Sequence, residues 1–395
     1  MTMLAAVFLV TGAVNLQLPL YGAMAQAGGF GASQMSLLLQ GYVAALILTL
    51  TTAGGVADRF GSRRPVLISL GCALIATLGV MLSPGLAMLG VARWFQGAGV
   101  ALVMGSATAA LAERWGPPSA ARWVGAASTL GFGAGALATT ASLASTPGAL
   151  TAELLWSGGL IAVGAALFRM TGPSGDPQIS VLRLPSMPPG TRVANTSLLA
   201  AWAVSGVVVA VLPGVLHGSG HGAWAGVMLF LMLAGGLVGQ IPARRMSSRR
   251  SLQLGLIILA LGTAAMSFGV ASDRIGLIAG GALLLGMATH GWIYVGALVR
   301  AGECAPRSAA AVSGTLLAAY IGFGGPAIAV GLAVDRLGSA TAFTGFAASV
   351  AIVSALLLAL ERPSARAQAQ GLEKGPVMTG DHQAPAPQPQ RLGEG

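Results

Sequence analysis

Between residues 3 and 361 long apolar runs alternate with short polar breaks, twelve runs in all. Each is roughly 18–25 residues long, the length that carries an α-helix across a hydrocarbon core. Lipid offers no partner to a bare N–H or C=O, so such a run must satisfy its backbone internally, as a helix does. The pattern predicts helices 1–6 over 3–25, 34–56, 65–83, 86–112, 121–143 and 153–170. Helices 7–12 follow over 195–216, 222–243, 251–271, 275–299, 309–334 and 340–360. The first run ends in Ala23-Met24-Ala25, which looks like a signal-cleavage site. It has no basic segment ahead of it and holds Asn15 and Gln17 in its middle, so it reads as a spanning helix.

The breaks divide the chain in two. Residues 1–170 form a first six-helix bundle and 195–361 a second. The segment 171–194, with Pro173, Pro177, Pro185, Pro188 and Pro189, reads as an irregular cytoplasmic linker. Residues 362–395 are rich in Pro, Gln and Ala and lack the apolar groups of a core, so a disordered cytoplasmic tail is expected. The halves echo each other. A basic turn at 57–64 follows helix 2, and Pro242-Ala243-Arg244-Arg245-Met246-Ser247-Ser248-Arg249-Arg250 follows helix 8. Gly131-Phe132-Gly133-Ala134-Gly135 in helix 5 matches Gly322-Phe323-Gly324-Gly325-Pro326 in helix 11. Pro19 and Pro326 are placed to bend helices 1 and 11.

Composition agrees. Of the 395 residues 55% are hydrophobic and only 8% charged, against about 25% charged in soluble domains. The 59 glycines are costly in soluble helices but let membrane helices approach closely. The net charge of +10 invites a nucleic-acid reading, which its distribution excludes. With the N-terminus inside, eighteen of the 21 Lys and Arg fall in cytoplasmic segments, Arg274 and Arg336 lie outside, and Arg93 lies within a span. The bias sets the topology, with both termini cytoplasmic, and accounts for the positive charge. Cys72 and Cys304 are two distant thiols and make neither a disulfide framework nor a metal motif. His217 and His221 read as loop residues. With no phosphate-binding Gly-x-x-x-x-Gly-Lys loop, no nucleophilic triad and no ligand cluster, neither enzyme chemistry nor a cofactor or metal is expected.

One polar segment is more than a loop. It runs Gly54-Gly55-Val56-Ala57-Asp58-Arg59-Phe60-Gly61-Ser62-Arg63-Arg64. Gly54 and Gly55 permit tight packing at the membrane edge, and Gly61 permits a sharp turn. Asp58 sits where it can accept hydrogen bonds from an arginine or a helix N-terminus, and Arg59, Arg63 and Arg64 can bridge to carboxylates or lipid phosphates. The segment resembles the loop 2–3 signature of the major facilitator superfamily. Arg93-Trp94-Phe95-Gln96-Gly97-Ala98-Gly99 is similar to that family's helix 4 signature, Arg-x-x-Gln-Gly-x-Gly. The helix 5 signature Gly-Pro-x-x-Gly-Gly of drug:proton antiporters keeps its glycines here and lacks its proline. The resemblance implies an all-α integral membrane protein with two six-helix bundles rocking about a central cavity. It implies that the 54–64 segment latches the bundles in the outward-facing state, with Asp58 facing helix 11, and that Arg93 takes part in proton coupling.

No Asp or Glu lies near the middle of a predicted helix. The embedded titratable group is His290, whose imidazole changes charge near neutral pH and is held neutral by burial. Arg93, Gln96 and His290 are therefore the coupling candidates. Glu113 and Glu153, at helix ends, are expected among headgroups and arginines. A polar group facing lipid is costly, so the polar and aromatic residues of the helices that line the cavity in this family should point inward. These are Asn15, Gln17, Tyr21, Gln40, Tyr42, Ser128, Thr129, Trp202, Ser205, Trp292, Tyr294 and Tyr320. The expectation is a monomeric secondary transporter of the bacterial inner membrane with lipid around it, exporting a small organic molecule by proton antiport. Proton-coupled uptake of a small metabolite or organic anion is the alternative. A non-transporting membrane sensor is the third reading, and the intact loop 2–3 segment speaks against it.

Overall fold

A computed structural model describes residues 1–82, 85–145, 150–169, 176, 178, 180–182, 186–304 and 309–361. The expected linker is thus described in part, and the expected tail at 362–395 lies outside the described residues. Among the described residues there are twelve long helices and no strand. They are helix 1 Thr2–Gly28, helix 2 Ala32–Thr52, helix 3 Arg63–Leu82, helix 4 Leu86–Trp115, helix 5 Pro117–Ser145 and helix 6 Thr151–Arg169. The second set is helix 7 Pro189–Gly218, helix 8 Gly222–Ala243, helix 9 Ser248–Ala271, helix 10 Ile275–Cys304, helix 11 Ala309–Leu337 and helix 12 Ser339–Leu360. The first six pack as one bundle and the last six as another. Helix 1 lies on helix 5, helix 4 on helices 2 and 3, helix 7 on helix 11, and helix 9 on helices 10 and 12. The bundles meet where helix 2 packs on helix 11 and helix 5 on helix 8.

The helix ends define two faces. One, the arginine-rich end, carries Arg59, Arg63, Arg64, Arg114, Arg244 and Arg250; the far end carries Asp273, Arg274, Asp335 and Arg336. Between them the outer surface is apolar: Leu155, Phe168, Ile241, Leu261 and Ile352 are each more than half exposed. Residues this greasy remain uncovered only where hydrocarbon is the solvent.

Three helices depart from regular α-geometry within their spans. Helix 1 stops its α-turns at Asn15 and passes through a tight turn at Leu18–Leu20 containing Pro19 before resuming at Tyr21. Helix 7 breaks at Val211, just ahead of Pro213, in the matching place of the second half. A proline donates no N–H and crowds the preceding turn, which is why both breaks fall there. Helix 11, by contrast, runs unbroken through Pro326. Helix 10 widens into a π-turn over Met287–Ile293, with His290 at its centre. No proline or other sequence sign marks that turn.

Close approach of helix backbones holds each bundle together. A Cβ on Gly97 of helix 4 would collide with the Tyr42 carbonyl of helix 2 and lie 3.0 Å from the Leu46 nitrogen. Gly164 of helix 6 faces open space. Gly97→Val should therefore lower stability by about 1–3 kcal/mol, the usual cost of overpacking, read as an earlier thermal unfolding midpoint in detergent. Gly164→Ala should leave the midpoint unchanged.

Candidate functional site

A cavity of about 80 Å³ lies between the bundles. Asn15, Tyr42 and Arg93 line it from the first bundle, and Trp202, His290 and Tyr320 from the second. The second-bundle wall is aromatic. The Trp202 ring meets Tyr320, His290 and Phe323 edge-on, with centroids 5.0, 5.7 and 5.8 Å away. The Trp202 indole N–H is buried and has no partner among the described residues.

Arg93 is 1% exposed, and the break in helix 1 is what receives it. A helix leaves its last carbonyls without intrahelical donors, and Ala13 and Val14 lie in the last turn before the break. Arg93 Nη1 donates to the Val14 carbonyl at 2.9 Å and to Gln96 Oε1 at 2.8 Å. Gln96 Nε2 in turn donates to the Ala13 carbonyl at 3.1 Å. Arg93 Nε donates to the Tyr21 hydroxyl at 2.6 Å, and the guanidinium carbon stands 5.2 Å from the centre of that ring. Nη2 is buried without a partner. Among the described residues no carboxylate reaches this cation.

His290 stands on the opposite wall. Its Nε2 lies 3.4 Å from Ser205 Oγ, and its carbonyl, displaced by the π-turn, accepts from Gln240 Nε2 at 3.1 Å. Gly286 and Gly291 bring the turn against helix 8, where a Cβ on Gly291 would lie 2.9 Å from Gly239 Cα.

Other candidates fall elsewhere. Tyr21 holds Arg93 from the far-end side and lines a recess of about 670 Å³ there. Gln17 is 1% exposed, both its amide atoms lack partners, and it is not part of the central wall. Ser128 donates to the Gly125 carbonyl of its own helix at 2.9 Å. Trp292 is turned toward helix 9, where its carbonyl accepts from Ser251 Oγ at 2.7 Å, and Tyr294 packs partly buried against the core. These three share one cause: at 3.6 residues per turn only part of each helix faces the cavity. Gln40 joins the bundles by donating to the Gly324 carbonyl. Glu153, expected among headgroups, is 4% exposed and accepts a hydrogen bond from Thr139 Oγ1 at 3.4 Å.

At the arginine-rich end Gly61 adopts φ +76°, the turn that its lack of a side chain permits. Gly55 N–H donates to the Val181 carbonyl at 2.9 Å, and the Asp58 carbonyl accepts from Asp176 N–H at 2.8 Å. Arg63 donates to the Phe168 carbonyl and lies over that ring; Arg59 lies over Phe60, and Arg64 is exposed. Gly54 and Ala57 share a cavity of about 150 Å³ with Ser313, Leu316 and Tyr320 of helix 11. Tyr320 lines both this cavity and the central one.

The bundles are also joined at the far end. Asp335, on helix 11, accepts from the backbone N–H groups of Ala32 and Ser33 at 2.8 and 3.0 Å and from Ser33 Oγ at 2.6 Å. It caps the N-terminus of helix 2 from the other bundle, a place where a carboxylate is favoured by the unpaired N–H groups and the helix dipole. His217 of helix 7 meets Gln26 of helix 1 alongside, Nε2 to Oε1 at 3.0 Å. The sequence held an unread signal for this contact. Asp335-Arg336-Leu337-Gly338-Ser339 repeats Asp58-Arg59-Phe60-Gly61-Ser62, and Gly338, at φ +81°, matches Gly61.

The fold and site define a polytopic helical membrane protein with a cavity between two bundles. The sequence model of the Major Facilitator Superfamily matches residues 3–329, and the chain belongs to that superfamily. No curated protein sequence matches the chain. Among solved structures it is similar in fold to the nucleoside transporter NupG, at TM-score 0.75 and 12% identity over 91% of this chain and 99% of that one. A bacterial homologue of the human lysosomal transporter Spinster, inward-facing and occupied, gives 0.68 and 13% over 91% and 94%. The human organic anion transporter MFSD10 (TETRAN) gives 0.63 and 17% over 91% and 98%.

Removing the Asp335 cap should loosen the far end. The loss of a charged N-cap costs about 1–2 kcal/mol. In a background with Cys72 and Cys304 replaced by serine, Ser36→Cys, on the covered face of helix 2, should react about 5–30-fold faster with a small maleimide when Asp335→Ala is added. An unchanged rate would mean that Asp335 does not hold the bundles together.

Proposed function

We propose that this chain exports a small organic molecule by alternating access, in exchange for protons, as a monomer in the bacterial inner membrane with both termini cytoplasmic. The observation that carries the reading is that Arg93 and His290, one from each bundle, face one shared cavity. A solute there touches both bundles, so its binding free energy depends on how they sit, which is the requirement for coupling occupancy to rocking. The superfamily fold and three neighbours that are transporters support transport as the activity.

In this reading the two ends close in turn. Asp335 and its helix 2 partners seal the far end, taken as the periplasmic side. Gly54, Gly55, Asp58, Arg59, Gly61, Arg63 and Arg64 latch the cytoplasmic end once helices 2 and 11 approach there. His290 carries the coupling proton, because among the described residues it is the imidazole on the cavity wall. Arg93 and Gln96 feel that charge across the cavity, and Glu153, buried near the far end, is the second proton-binding candidate. The alternative is uptake by symport, in which substrate and proton occupy the same conformation and cross together. The uncompensated charge of Arg93 favours that alternative where the substrate is an organic anion.

Proteoliposome flux across a compound panel with an imposed pH gradient tests the reading. Accumulation on the acidic side, lost when the gradient is collapsed, is the antiport result; accumulation on the alkaline side assigns symport. His290→Gln should flatten the pH profile of transport while Glu153→Gln leaves it, and the opposite pattern moves coupling to Glu153. Asp58→Asn should insert normally and carry at least about tenfold less flux, the scale of one lost charge-assisted hydrogen bond. Wild-type flux from that variant would remove the latch from the account.

A further inference from the structure

We propose that the central cavity is a binding site for an aromatic monocarboxylate, with the carboxylate on Arg93 and the ring against Trp202 and Tyr320. The proposal rests on the reading of this chain as a transporter, in either direction, and adds the substrate class.

The argument starts from what the wall leaves unmet. Two of its buried groups have hydrogen-bonding capacity without a partner, Arg93 Nη2 and Trp202 Nε1. Guanidinium and indole nitrogens only donate, so a ligand that satisfies them brings acceptors. The site also holds a positive charge with no counter-charge. Arg93 is bonded to a carbonyl, an amide oxygen and a hydroxyl, all neutral, and no carboxylate among the described residues reaches it. Neutral acceptors satisfy the geometry of a buried cation but leave its charge uncompensated, and a buried charge is stable chiefly when paired. A monoanion supplies acceptors and charge together, and a planar carboxylate fits the guanidinium fork.

The remaining wall decides the body of the ligand. Trp202 and Tyr320 stand edge to face, and Leu229, Met232 and Leu233 complete the surface. Such a wall rewards an aromatic or flat apolar group and offers nothing to a polyhydroxylated one. A second positive group on the ligand has no carboxylate to meet, which excludes an amino acid zwitterion or an organic cation. Size sets a further condition. The cavity, at about 80 Å³, is about half of the roughly 150 Å³ that encloses a benzene ring. Tyr320 lines both it and the cavity of about 150 Å³ toward the arginine-rich end, so in this proposal a ring enters as that side chain swings toward the second cavity.

The test is equilibrium binding to the full-length protein in nanodiscs, using radiolabelled benzoate, phenylacetate and indole-3-acetate, each against its primary amide, with benzylamine and chloride as further competitors. At least one carboxylate should bind saturably, and its amide should bind about tenfold more weakly or worse. Trp202→Phe, which keeps a ring and removes the N–H, should weaken the carboxylate several-fold, and Arg93→Gln should abolish its binding. Because the carboxylate–amide contrast is read on the wild type, a misfolded Arg93 variant does not remove the test. Equal binding of acid and amide, preference for benzylamine, displacement by chloride as effective as by the acid, or no binding of any carboxylate would each overturn the proposal. Counterflow in proteoliposomes separates this from the transport reading. If benzylamine or an amide binds and is carried, the anion site falls and transport stands. If a carboxylate binds and nothing is carried, the anion site stands and transport falls.

Discussion

A guanidinium within a hydrocarbon slab is tolerated only where most of its donors are met, and the region around Arg93 meets those of Nε and Nη1 while Nη2 is left without a partner. Moving such a group to the bilayer centre costs about 2.5–3.5 kcal/mol even on the most lenient scales. Three hydrogen bonds and the face of Tyr21 offset that cost, because each charged hydrogen bond returns about 1.5–3 kcal/mol. The partners exist because Pro19 interrupts helix 1 and so leaves carbonyls in its preceding turn without intrahelical donors. A helix break and a buried cation are each unfavourable alone in lipid; placed face to face they satisfy one another. The arrangement also pins helix 4 to helix 1, so the cavity wall of the first bundle moves as one piece.

The second bundle solves its half of the problem without charge. Helix 7 breaks at the corresponding place, ahead of Pro213, but the wall it forms with helices 10 and 11 is built from edge-to-face aromatics and the π-turn at His290. The two bundles therefore offer unlike surfaces to anything between them, one cationic and donating, the other aromatic. Their ends are unlike too. Asp335 reaches across to helix 2 at the far end, while at the arginine-rich end a cavity lies between Gly54 and helix 11. Helices 2 and 11 each bear an Asp-Arg-x-Gly-Ser sequence at the C-terminal end. Of the two carboxylates, Asp335 stands at the N-terminus of the other helix.

Much of this was legible in the chain. The twelve spans follow from apolar run length, since lipid allows few other ways to satisfy a backbone; most helices run a few residues past at least one predicted end, while helix 2 stops at Thr52, short of the expected 56, ahead of Gly54 and Gly55. The family was readable from 54–64 and from Arg93 to Gly99, where residue order is specific. The site was readable in part. Asn15, Tyr42, Arg93, Trp202, His290 and Tyr320 share the cavity as expected of inward-facing polar and aromatic groups. Ser128, Trp292 and Tyr294 do not, because which face of a helix turns inward depends on packing against its neighbours, and the π-turn of helix 10 shifts the register of everything after His290. The burial of Glu153 was hidden for a related reason: a residue at a helix end lies at the interface by position, and only tertiary packing shows that Thr139 covers it.

Alternating closure about the Arg93 cavity is the claim on which the rest depends, and distance measurements between spin labels at both ends of the helix 2–helix 11 pair address it most directly. With Cys72 and Cys304 replaced, labels at Gln34 and Leu337 report the far end and labels at Thr52 and Ser313 the arginine-rich end. The account predicts two populations in lipid whose distances are anticorrelated: conditions that lengthen the far-end distance shorten the other. A single fixed distance at both ends, or two distances that lengthen and shorten together, would contradict it.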